Sequence, residues 1–193
     1  MQFTEMTIAG AWTVDLEPRA DDRGFFARAF CADELAAHGA DPAVAQANLS
    51  WNAGRGTLRG LHFQYPPDAE AKFVRCVRGA VFDVVVDLRP GSPTFGRWAG
   101  AELTAGNRRA LIAPAGTAHG YLTLADDTEV LYLASTRYSP GAESGLRWDD
   151  PDLAIDWPGP VLTCSDKDAS WPALAGRVEE IRSRMAGPEG WNR

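Results

Sequence analysis

The chain has 193 residues, of which 45% are hydrophobic and 23% charged, and a formal net charge of −7. That length and apolar content suit one domain, over residues 1–193, with a real core. The acidic balance argues against general nucleic-acid binding, which needs a basic surface, and no apolar run approaches the roughly 20 residues that span a bilayer.

The start, Met1-Gln2-Phe3-Thr4-Glu5, lacks the basic and apolar stretches of a signal peptide, so a soluble, cytoplasmic protein is expected. Residues 32–38 read as a short helix closed by Gly39, a good residue just past a helix end. Strands are expected over 57–64, 72–78, 81–88, 98–103, 110–113, 120–124 and 129–135, between turn signals such as Ala105-Gly106-Asn107 and Ala125-Asp126-Asp127. The clearest is 81–88, where Phe82, Val84, Val86 and Leu88 alternate with Asp83 and Asp87. A last helix is expected over 173–185, with Leu174, Val178 and Ile181 on one stripe. Many short strands and few helices predict an all-β sandwich or jelly roll with short flanking helices. The three cysteines, Cys31, Cys76 and Cys164, are widely spaced without a CxxC pair, which predicts free thiols.

Three histidines carry the first candidates for chemistry. His38 ends the first helix and reads as a capping residue. His62, in Arg59-Gly60-Leu61-His62-Phe63-Gln64, and His119, in Pro114-Ala115-Gly116-Thr117-Ala118-His119-Gly120, adjoin expected strands. Their setting resembles the two metal-binding motifs of the cupin superfamily. In those the first motif usually carries a second imidazole, and here Gln64, a poor metal ligand, stands in that place. Glu70 could complete a facial triad with the two histidines, but the pattern points to no metal. Without one, histidine is the natural general base near neutral pH, best served by a carboxylate that orients its other nitrogen. Ser165-Asp166-Lys167-Asp168 offers such a carboxylate, and Tyr132 and Tyr138 offer phenols, although an aromatic in a strand is more often core. Arg23, Arg59, Lys72 and Lys167 are candidates for a local cationic cluster that could hold one small anion.

Several ordered motifs extend the pattern: Asp22-Arg23-Gly24-Phe25-Phe26, Gln46-Ala47-Asn48-Leu49-Ser50, Leu58 through Gln64, Val86 through Gly96, Pro114 through Gly120, Asp149-Asp150-Pro151, Ile155-Asp156-Trp157-Pro158 and Ser165 through Asp168. On this set, from about Asp22 to Asp168, the chain resembles the dTDP-4-dehydrorhamnose 3,5-epimerase family. The resemblance implies a cupin-type jelly roll, a homodimer, no cofactor, and a nucleotide-linked 4-keto-6-deoxy sugar as substrate. It further implies His62 as the base, Asp168 as its carboxylate partner, Tyr132 as the proton donor on the opposite face and Tyr138 as a platform for the nucleotide base. Arg23, Gln46, Asn48, Arg59, Lys72, His119, Glu143 and Lys167 match substrate-contacting positions, with Arg23 reaching the neighbouring subunit's site. Arg28 departs from the family's usual Glu and reverses a charge at such a position, and Thr117 stands where Phe is common. Inversion at C3, C5 or both stays open, as does the nucleotide. A metal-dependent cupin enzyme and a non-catalytic sugar-nucleotide-binding module remain the rival readings.

Overall fold

A computed structural model describes residues 1–186; the rest of the expected 1–193 domain lies outside the described residues. The strands are β1 (Gln2–Glu5), β2 (Trp12–Asp15), β3 (Arg19–Asp21), β4 (Gly24–Phe26), β5 (Gln46–Asn52), β6 (Leu58–Gln64) and β7 (Lys72–Arg78). They continue as β8 (Ala80–Asp87), β9 (Trp98–Thr104), β10 (Ala110–Ala113), β11 (Thr117–Thr123), β12 (Thr128–Ala134) and β13 (Glu143–Gly145). Three short helices accompany them: α1 (Ala32–Ala37), α2 (Asp166–Ala169) and α3 (Val178–Met185). One sheet has the order β1-β2-β10-β7-β12-β5 and the other β13-β6-β11-β8-β9, while β3 and β4 form a separate hairpin. All the strand pairs are antiparallel. The two sheets face one another as a β-rich jelly roll of cupin type: the short strands and turns led us to expect a sandwich or jelly roll, and the family resemblance implied the cupin type.

β8 shows why the polypeptide chooses this arrangement. Its even positions, Val84 and Val86, pack outward with Leu61, Phe63, Leu174 and Ile181. Its odd positions, Val81 and Val85, pack inward between the sheets with Val74, Leu103 and Leu111. Asp83 and Asp87 share that inward face and are fully buried, so the strand is covered on both sides. Burial of two carboxylates requires partners. Asp87 accepts hydrogen bonds from Arg89, Ser92 and Thr94 at 2.6–2.8 Å, and Asp83 contacts His119.

The two flanks differ from expectation in one place. α1 ends at Ala37 and Gly39 takes a positive φ of 71°, as a glycine beyond a helix end allows. The helix expected over 173–185 is shorter. Gly176, a poor helix former, lies in a single 3-10 turn over Ala175–Arg177, and regular helix begins at Val178. The apolar stripe survives the break: Leu174, Ile181 and Met185 are buried over the outer face of the five-stranded sheet. Each such side chain contributes about 1.5–3 kcal/mol. His38 closes α1, its ring stacked on Phe3 at 3.9 Å and Nδ1 at 2.8 Å from the Glu34 carbonyl. Cys31, Cys76 and Cys164 are all free thiols. Among the described residues no helix is long and apolar enough to cross a membrane.

Candidate active site

A cavity of about 580 Å³ opens between the sheets, lined by β5, β6, β7, β11 and β12 and by the segments around Tyr138 and Asp168. On β6, Arg59 and His62 both line it, although residues three apart on a regular strand face opposite ways. A bulge reconciles the two. His62 stands opposite His119, but Arg59 stands opposite Tyr121, so one extra residue is inserted in β6. Gly60 makes this possible. Its φ is +122°, and a Cβ there would lie 2.6 Å from Gly120 Cα and 2.8 Å from the His119 carbonyl oxygen.

The freed Gly60 N–H donates to Asp168 Oδ2 at 3.1 Å, and His62 Nε2 meets Asp168 Oδ1 at 2.7 Å. Asp168 is only 4% exposed. It is delivered by α2, whose preceding Ser165 hydroxyl accepts the Asp168 backbone N–H at 3.1 Å. A parallel bridge between Thr57 and Thr163 docks this segment beside β6. Burial pushes the Asp168 carboxyl up, but the hydrogen bond and charge of His62, the Gly60 N–H and the Lys167 charge outweigh it and hold the group below its ordinary value. A second pair lies alongside: His119 Nε2 is 2.8 Å from Asp83 Oδ1, both buried.

The facing wall comes from the other sheet. On β5, Gln46, Asn48 and Ser50 line the cavity while Leu49 and Trp51 point outward and are exposed. This alternation is polar-in and apolar-out, the inverse of a core strand. On β12, Tyr132 lines the cavity. Its phenol is held above its ordinary value, first by burial and then by the nearby charges of Glu70 and Tyr121, against a smaller opposing effect of Arg59. Lys72, at the start of β7, is ion-paired with Glu70, and both are largely buried. Tyr121 sits deeper, its hydroxyl 2.8 Å from the Ser50 hydroxyl.

At the mouth, Glu143 on β13 is a hub. It accepts the Tyr138 hydroxyl at 2.7 Å and Lys167 Nζ at 2.7 Å on each carboxylate oxygen. Burial raises the Glu143 carboxyl, but the Lys167 and Tyr138 contacts bring it below its usual range. Arg59 donates from Nε to Asn52 Oδ1 at 2.7 Å and otherwise to the Trp51 carbonyl.

Eleven of the twelve residues that the family resemblance assigns to the site therefore meet in one cavity: His62, Tyr132, Asp168, Gln46, Asn48, Arg59, Lys72, His119, Tyr138, Glu143 and Lys167. Arg23 does not. It sits on the β3–β4 hairpin, its side chain 90% exposed and paired with Asp21. Arg28 lies off the cavity too, bonded to Glu34 at 3.0 Å. The sequence reading missed Asp83 as the partner of His119, although its place in an alternating strand marked it as facing away from the outer core. It weighed Glu70 only as a metal ligand, and it missed Ser50 and Tyr121 as lining residues. Among the described residues, no group of three or more His, Cys, Asp or Glu is disposed to hold a metal ion.

A histidine paired with a buried carboxylate on one sheet, and a phenol on the sheet opposite, equip a cupin-type cavity to move protons to and from a bound molecule. The family model for dTDP-4-dehydrorhamnose 3,5-epimerase matches residues 5–176, and the chain belongs to that family. It is 44% identical over 175 residues to a dTDP-4-dehydrorhamnose 3,5-epimerase of Sinorhizobium fredii, covering 90% of each chain. It is 46% identical over 172 residues to a dTDP-4-dehydrorhamnose 3-epimerase of Streptomyces niveus, covering 88% of this chain and 83% of that one. Among solved structures, a dTDP-6-deoxy-D-glucose-3,5-epimerase of Legionella pneumophila, in complex with dTDP-4-keto-L-rhamnose, superposes with a TM-score of 0.87 at 35% identity, covering 96% of this chain and 99% of the other.

Proposed function

We propose that this protein inverts C3, C5 or both of a dTDP-linked 4-keto-6-deoxy sugar in deoxysugar biosynthesis. One observation carries the reading: the His62–Asp168 pair and Tyr132 project from opposite sheets into one cavity, so a sugar ring between them has a base on one side and an acid on the other. A C4 ketone acidifies the hydrogens at C3 and C5, because the carbanion delocalises onto oxygen. With Nε2–H donated to Asp168, Nδ1 of His62 is the lone-pair nitrogen that takes the proton, and the carboxylate stabilises the imidazolium. Lys72 and His119 supply donors for the enolate oxygen, a contribution of about 3–4 kcal/mol for one well-placed donor. Tyr132, which stays protonated because its phenol is raised, returns a proton to the other face and inverts the centre. Tyr138, more than half exposed at the mouth, stacks on the nucleotide base, and Arg59 and Lys167 meet the diphosphate. Gln46, Asn48 and Glu143 complete the substrate contacts.

The protein is proposed to act as a cytoplasmic homodimer. Leu49 and Trp51 on β5, an edge strand, and Phe25 and Phe26 on the hairpin are all exposed, an apolar surface that a second copy would cover. Arg23, idle beside Asp21, would then reach the partner's cavity. The named relatives include both a 3,5-epimerase and a 3-epimerase, so the position of inversion must be measured. The decisive test is incorporation of solvent deuterium into dTDP-4-keto-6-deoxyglucose, read at C3 and C5 separately. The expected result is incorporation by the wild type that His62→Ala abolishes. Unchanged exchange in His62→Ala would remove the proposed base, binding without exchange would favour a binding module, and a stoichiometric transition metal needed for activity would favour a metal-dependent cupin.

A further inference from the structure

Gln64 stands where a metal-binding cupin would present a second imidazole, and its actual contacts give it a different task. The side chain is buried, 3% exposed. Its Oε1 accepts the Ser139 N–H at 2.6 Å. Its Nε2 donates to the Asp68 carbonyl at 2.8 Å and to the Arg137 carbonyl at 3.2 Å. One carboxamide thus satisfies three backbone groups, two of them flanking Tyr138. The Tyr138 N–H itself donates to Gln46 Oε1 at 2.7 Å. Residues 137–139 belong to no strand, so these backbone groups have no ladder to join. Two glutamines, one from each sheet, replace it.

We infer that Gln64 is a positioning residue that presents Tyr138 at the mouth of the cavity and thereby sets affinity for the nucleotide end of the substrate. The chemistry favours glutamine at this point over its nearest alternatives. A carboxamide offers an acceptor and two donors in one plane. A neutral histidine offers one of each, and a glutamate would turn a carboxylate oxygen toward two carbonyl oxygens. The same amide reaches the Asp68 carbonyl, in the turn that leads to Glu70 and Lys72, so it ties both loops at the rim to β6. Gln64 also stands directly opposite Glu143 in the β6–β13 register, and Glu143 accepts the Tyr138 hydroxyl. Tyr138 is therefore held at its backbone by Gln64 and Gln46 and at its ring tip by Glu143.

This inference rests on the proposal that Tyr138 receives the nucleotide base, and its test separates the two. Gln64→Glu keeps the acceptor for Ser139 and removes both donors. Thymidine diphosphate should bind about tenfold more weakly to this variant, which corresponds to about 1.4 kcal/mol. KM should rise by a similar factor, while kcat stays within about threefold because His62 and Tyr132 are undisturbed and Lys72 is held by the β7 ladder and by Glu70. In a Tyr138→Ala background the same substitution should change thymidine diphosphate affinity by less than about twofold, since the residue acts through Tyr138. Equal weakening in both backgrounds, or unchanged affinity in a folded Gln64→Glu protein, would overturn the inference. Gln64→Met, an apolar side chain of similar length, carries the same test if the glutamate variant does not fold. Amide hydrogen exchange over residues 137–139 is read in parallel. Faster exchange in the variants supports the positioning role even if the wild type binds no thymidine diphosphate, a result that would sink only the functional reading. Unchanged exchange refutes the positioning role.

Discussion

Asp168→Asn is the sharpest probe of the proposed mechanism, because the geometry dictates how the new amide must turn. In the native site Asp168 accepts twice, from Gly60 N–H on Oδ2 and from His62 Nε2 on Oδ1. An asparagine can accept with only one of those atoms. The Gly60 N–H is fixed by the bulge and is always a donor, so the amide oxygen must face it. The amide NH2 then faces His62 Nε2 and donates to it. The imidazole is driven into the tautomer with its proton on Nδ1, and the nitrogen meant to accept the substrate proton no longer has a lone pair. The loss combines general-base catalysis, about 10²–10⁴ in rate, with stabilisation of the imidazolium. A fall in kcat of about 10²–10⁴ is expected, or about 2.7–5.4 kcal/mol of barrier. Affinity for thymidine diphosphate should be unchanged, since Tyr138, Arg59 and Lys167, the residues assigned to its base and diphosphate, have hydrogen bonds to groups other than Asp168. Acid stability gives a second readout. The folded pKa of Asp168 lies below its ordinary value of 3.8, so its stabilisation is fully present above that pH and is lost as pH falls through the lower folded value. The stability advantage of the wild type over Asp168→Asn should therefore shrink below about pH 3.8 in denaturant titrations. A kcat within tenfold of the wild type in a folded variant would refute the tautomer argument.

Two further outcomes test the opposite wall and the bulge. Tyr132→Phe removes the proposed acid but leaves the proposed base, so proton exchange with solvent from the His62 side should continue while inversion falls by about 10²-fold or more; loss of both together, with thymidine diphosphate binding intact, would contradict the proposed division of roles. Gly60→Ala places a Cβ 2.6 Å from Gly120 Cα in a backbone of φ +122°, and overpacking of that kind costs about 1–3 kcal/mol. A urea midpoint equal to the wild type's, with full activity, would show that the bulge tolerates a side chain.

Much of this site was legible because its residues stand in motifs that interrupt ordinary strand chemistry. His62 and His119 face each other across β6 and β11, and both sequence segments carried a glycine near the histidine. What could not be read was the consequence of Gly60: a one-residue insertion that turns Arg59 and His62 to the same side has no signature beyond the glycine itself. β5 was missed as a strand for a different reason. Its apolar residues, Leu49 and Trp51, lie outside and its polar residues inside, so its alternation does not read as a core strand. In β8 the alternation was seen, but apolar residues cover both of its faces, so the pattern did not show that Asp83 and Asp87 face the interior between the sheets. α2 is too short to show periodicity, and only Ser165, three residues before Asp168, hinted at a capped turn.

The charge layout is compatible with the proposed diphosphate ligand despite a net charge of −7. Within the cavity Lys72 is paired with Glu70, Lys167 with Glu143, His62 with Asp168 and His119 with Asp83. Each pairing offsets a charge that burial would otherwise make costly. Arg59 is different: its partners, Asn52 and the Trp51 carbonyl, are neutral, so among the described residues of the cavity it is the cation whose charge no contacting carboxylate offsets. An entering anion is drawn to that point, and Lys167 can turn to it only by giving up Glu143. Glu143 would in that event keep the Tyr138 hydroxyl, so the proposed platform for the base need not move when a diphosphate arrives. A long polyanion would meet the acidic exterior instead, whereas a single small dianion needs only the local field at the mouth. The global charge and the local one therefore act on different ligands, which is why an acidic composition argues against general nucleic-acid binding without arguing against a nucleotide sugar.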